Sequence, residues 1–134
     1  MTSFAISKIS DEQQTVWGWA SVIEDAHGHP IVDSQGDIIL KQELQNAAHD
    51  FLLHSRDGGV MHEETGVASI VESLVTTPDT IAALFPGVAK GSIPVGWAVA
   101  FKVNNSEVWK RVKSGELAGF SIHGVGERVP VEAA

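Results

Sequence analysis

From Val95 to Val103 the residues Trp97, Val99, Phe101 and Val103 fall on one parity, which is the period-two pattern of a strand with one strongly apolar face. Such a face obliges the chain to build a sheet and to cover one side of it. The preceding and following sequence supplies the other parts. Phe4, Ile6 and Ile9 mark a short N-terminal strand, and Thr15 to Ile23 is rich in β-branched and aromatic residues. The polar Ser10-Asp11-Glu12-Gln13-Gln14 joins the two as an opening hairpin. Asp25-Ala26-His27-Gly28-His29-Pro30 and Asp33-Ser34-Gln35-Gly36-Asp37 read as an ordered loop returning to the sheet.

From Leu40 the period changes. Leu40, Leu44, Ala47, Ala48, Phe51 and Leu52 form one stripe of a helix that Gly58-Gly59 should end, and this helix should cover a sheet face. Val67 to Thr76 reads as a strand. Pro78-Asp79 opens a short helical or irregular stretch ending near Pro86-Gly87, and the loop from Thr77 to Ile93 is the candidate flap. Asn105-Ser106 caps a helix through Lys113 with Val108, Trp109 and Val112 inward, and Gly115 stops it. Leu117 to Val125 is the final strand. The expected fold class is α+β and β-rich: a small, mostly antiparallel sheet or barrel flanked by about two helices. Trp17, Trp19 and Trp97 are expected in its core.

Composition narrows the function. A chain of 134 residues supports a single domain, 1–134, burying roughly two-thirds of its unfolded surface. It contains no cysteine, so disulfides, thiolate catalysis and cysteine metal sites are excluded together. No run approaches the roughly 18 apolar residues of a membrane span, and no basic-then-apolar leader opens the chain, so neither membrane insertion nor export is expected. The net charge of −8, without a basic block, argues against nucleic acid and favours basic partners.

The stretch Gly115 to Gly124 places Ser121 in a glycine-flanked apolar segment, far in sequence from His62 in Gly59-Val60-Met61-His62. A serine hydroxyl becomes a competent nucleophile only when an imidazole takes its proton, so the pair is a candidate nucleophile and base if their segments become neighbouring strands. On the final strand Gly119, Ser121 and His123 share one face, while Ala118, Phe120 and Ile122 face the core. Other constellations point elsewhere. Asp25, His27 and His29 read as a polar turn; His62-Glu63-Glu64 is not H-E-x-x-H, because residue 66 is glycine; Asp33 and Asp37 lack calcium-loop spacing. No metal or cofactor is expected.

Six blocks, Val16 to Val22, Val32 to Ile39, Gly59 to His62, Ile70 to Val75, Ile93 to Trp97 and Gly119 to Ile122, carry a resemblance in order and spacing. The chain resembles the phage prohead (capsid maturation) serine proteases, specifically the group related to the XkdF protein, which is distantly similar to the herpesvirus assemblins. The resemblance implies an assemblin-like β-rich fold and a Ser-His endopeptidase. It would cleave scaffold and capsid proteins in the host cytoplasm, inside the assembling prohead, with a homo-oligomer allowed. Ser121 and His62 are the residues carried over. For the third catalytic member Glu72 ranks first, since Val71-Glu72-Ser73 lies in a matching block on the strand after His62. His123 is the alternative, because assemblins use a second histidine. Oxyanion donors would be backbone N–H groups near Ser121, or Arg128. The alternative function is a catalytically inactive protease-fold module bound to capsid or scaffold, since fold does not prove activity.

Overall fold

The structure, a computed structural model, describes residues 2–32, 36, 38–60 and 64–122. In chain order the elements are β1 (Thr2–Ser10), β2 (Thr15–Glu24), α1 (Lys41–His54), β3 (Asp57–Val60), β4 (Glu64–Val75), α2 (Pro78–Leu84), β5 (Val95–Val103), α3 (Ser106–Lys113) and β6 (Gly119–Ile122). The four long strands form an antiparallel sheet in the order β1-β2-β5-β4, and the short β3 and β6 close it into a barrel, β3 beside β4 and β6 beside β1. The α+β, β-rich expectation holds, with three helices rather than about two.

The parity read from Val95 to Val103 is the parity of the core. Trp97, Val99, Phe101 and Val103 are buried with Val16, Ala20 and Ile23 of β2 and Val67, Ala68 and Val75 of β4. Helix α1 covers this face: the Phe51 ring meets Trp97 and Phe101 edge-on, at centroid distances of 5.6 and 6.2 Å. Helix α3 adds Val108, Trp109 and Val112, capped as expected by Asn105, whose Oδ1 accepts from the N–H of Glu107 and of Val108 at 3.0 Å each.

Three expectations need correction. The α1 stripe is narrower than its apolar residues suggest: Leu44, Ala48 and Phe51 are buried, whereas Ala47 is exposed and Leu40 is the exposed N-cap. The helix ends before the glycines. The N–H groups of Ser55 and Arg56 both reach Phe51 O at 2.9 Å, and Arg56 turns the chain with φ 69°, which releases Gly58 and Gly59 into β3. Trp17 and Trp19 are half-buried on the sheet face opposite the core; only Trp97 among the three is a core residue.

Thr76 fastens the mouth of the β4–β5 connection. Its buried hydroxyl donates to Pro94 O (2.8 Å) and accepts from Gly96 N (3.0 Å), and beyond it α2 buries no residue. Gly96 is required where it stands. A Cβ there would run into the Ser21 carbonyl oxygen and lie 3.0 Å from Trp19 Cε3.

Candidate active site

What positions Ser121 begins with α3. Past the helix, Gly115 takes φ 83°, Leu117 N–H bonds Arg111 O at 3.0 Å, and the Leu117 side chain enters the core. That anchor delivers the next residues to β1. Ile6 N–H bonds Ala118 O at 2.8 Å, and the ladder continues as Ala5↔Gly119, Phe4↔Phe120, Ser3↔Ser121 and Thr2↔Ile122. The other edge of β6 meets β3 through Gly58↔Ile122 and Gly59↔Ser121. Of Ser121 the structure describes the backbone.

Register assigns its face. Gly58 pairs both with Ile122 and with Ala68, a core residue, so Ile122 belongs to the core side and Ser121 to the opposite one. The same result follows from β1: Ala5 pairs with both Gly119 and Trp19, so Gly119, Ser121 and Trp19 share the non-core face. This agrees with the sequence-derived parity for Ser121 and Ile122. Ala118 departs from it, being exposed while Leu117 takes the core position.

His62 and His123 lie outside the described residues. Gly59, the partner of Ser121, stands three positions before His62 on the strand leading into that segment. The required neighbourhood of the two segments therefore exists at the backbone level. The sequence reading missed β3: four residues containing two glycines carry no strand period, and the only local signal was the run Gly58-Gly59-Val60 just before Met61-His62.

Glu72 is not brought to this seam. A β-bulge between Ile70 and Glu72 turns Ile70 toward the core and Glu72 to the other face. There its Oε1 accepts from Trp17 Nε1 at 3.4 Å, and Lys8 Nζ lies 4.7 Å from the centre of the Trp17 ring. Glu72 sits four residues along β4 from Ala68, the partner of Gly58; at about 3.4 Å per residue and 4.8 Å per strand it is roughly 17 Å from β6. Its visible partner is an indole.

Asp25 behaves as the sequence suggests. Its Oδ1 accepts from the N–H groups of His29 (3.0 Å) and His27 (2.9 Å), which, the His29 bond first, hold the carboxyl below its ordinary range. Among the described residues no three His, Asp or Glu side chains gather as a metal site.

Comparison with known proteins follows the same residues. The family model described as "Putative phage serine protease XkdF" matches residues 3–130. The phage-like element PBSX protein XkdF of Bacillus subtilis (strain 168) is 34% identical over 130 residues, covering 92% of this chain and 42% of that protein. A second protein of the same organism, "Uncharacterized protein YqbD", is 32% identical over 125 residues, covering 92% of this chain and 35% of its own length. The chain thus spans well under half the length of the curated relatives it matches. No solved structure matches it at a significant level.

Proposed function

The chain belongs to the XkdF family of phage serine proteases, and from that premise we propose that it is a serine endopeptidase of prohead maturation. The observation that carries the reading is the register Gly59↔Ser121 on the non-core face. In this proposal the Ser121 hydroxyl attacks a substrate carbonyl carbon as His62 takes its proton, forming the C–O bond of a tetrahedral intermediate. His62 then gives that proton to the departing amine, the C–N bond breaks, and water resolves the acyl-enzyme by the same steps. Backbone N–H groups beside Ser121 stabilise the oxyanion. The third member is His123 rather than Glu72, since Glu72 is roughly 17 Å from β6 by strand geometry. The substrates are the phage scaffold and the major capsid protein, cleaved inside the assembling prohead in the host cytoplasm.

Co-expression with the scaffold and major capsid proteins, read by intact mass, tests this. Specific truncation of the partners by the native chain, absent with Ser121→Ala, is the expected result. Intact partners that co-purify equally with both versions would establish instead a non-catalytic capsid- or scaffold-associated module.

A further inference from the structure

Around Ser121 the non-core face is built from small residues. Ser3 and Gly59 are its direct partners, and Ala5 and Gly119 form the adjoining row. Moving across the sheet from β6 through β1, the first large residue on this face is Trp19, the β2 partner of Ala5. Trp19 is half-buried, and its ring packs on the β5 backbone at Gly96, where a Cβ would stand 3.0 Å from Cε3 and 3.1 Å from Cζ3. The indole therefore leans away from β1. It borders the strip above Ser3 and Ala5 without lying over it.

A floor of small residues beside an aromatic wall suits an extended peptide: the floor admits a main chain at close range, and the wall accepts one apolar side chain. Two strands across at about 4.8 Å each and two residues along at about 3.4 Å separate the Cα atoms of Ser121 and Trp19 by roughly 12 Å, the span of three to four extended residues. We propose that Trp19 is a specificity-determining residue: it binds an apolar substrate side chain three or four positions from the bond that Ser121 cleaves. This inference rests on the protease reading of Ser121 and adds the class of residue selected.

The test is cleavage of a peptide library made from a digested proteome, with cut sites read by mass spectrometry, for the native chain, Ser121→Ala, Trp19→Ala and Trp17→Ala. The native chain should show Ser121-dependent cuts enriched in Leu, Ile, Val, Met or Phe at one position three or four residues from the cut. For a peptide carrying the preferred residue, Trp19→Ala should lower kcat/KM about tenfold, and for the same peptide with alanine there by no more than about twofold. Trp17→Ala should retain the preference. Should Trp19→Ala fail to fold, Trp19→Leu carries the comparison, with the preference shifting among apolar residues. Unchanged preference in the Trp19 variants, or equal loss on both peptides, would overturn the assignment while leaving the protease intact. Absence of any Ser121-dependent cut would overturn the protease reading and this inference with it.

Discussion

The β2–β5 seam and the β3–β6 seam are both antiparallel, and they are built for different purposes. The first runs from Thr15↔Lys102 to Glu24↔Val95, with Val16 paired to Phe101 on the core side and Trp17 to Ala100 on the other. The second is described by Gly58↔Ile122 and Gly59↔Ser121, with two glycines forming one side of it. Long pairing with buried side chains supplies stability, because cross-strand packing and apolar burial accumulate along it. The glycine-lined seam closes the barrel and keeps bulk away from Ser121. Stability and access are thus assigned to different strands, which lets the reactive region stay open at little cost to the fold.

That division can be broken by experiment. The largest expected effect is functional: Ser121→Ala should reduce cleavage on the order of a thousandfold or more while the melting temperature stays within about 2 °C. A variant that lost stability along with activity would mean that the short seam also holds the fold. Next comes Phe101→Ala in the long seam. Phe101 is wholly buried against Phe51, and its truncation should cost about 3–5 kcal/mol in urea unfolding.

Gly96→Ala should cost about 1–3 kcal/mol by the same measurement, since the new methyl meets the Ser21 carbonyl oxygen and the Trp19 ring. A neutral result would show that β2 and β5 can separate locally, which would weaken the contrast between the seams. The smallest effect concerns Asp11, in the turn that joins β1 to β2. Trp109 Nε1 donates to its Oδ1 at 2.7 Å, and Lys113 Nζ lies 3.2 Å from Oδ2. The Trp109 bond first, then that of Lys113, holds this carboxyl below the ordinary 3.8. A lowered folded-state pKa contributes stability above pH 3.8 that disappears as pH falls through the lowered value. The thermal advantage of the native chain over Asp11→Asn should therefore be present at neutral pH and vanish in strong acid, as followed by circular dichroism.

The legible parts of the fold are those with uninterrupted periods. β5 was bounded at Val95 and Val103 because four apolar residues kept one parity, and α3 was bounded by the Asn105 cap and Gly115. The illegible parts are those where the period breaks. The bulge between Ile70 and Glu72 reverses the faces that simple alternation assigns, so a carboxylate counted as a neighbour of His62 instead meets Trp17. Trp17 and Trp19 were misplaced in the core for a related reason: hydrophobicity predicts burial but not which face of a strand is the inner one.

The candidate site was legible in part as well. Ser121 and its parity could be read because Leu117 to Ile122 is a short apolar run flanked by glycines. By itself the sequence determined the strands with regular alternation, the helices with clear caps, the apolar residues available for a core and the residue types able to do serine chemistry, because these depend on local propensity and spacing. Only the tertiary structure decided that Gly58 and Gly59 form a strand, that this strand lies beside Ser121, and that Glu72 is remote from it. Strand partners are chosen by burial of the common face and by barrel closure, which act between residues far apart in the chain.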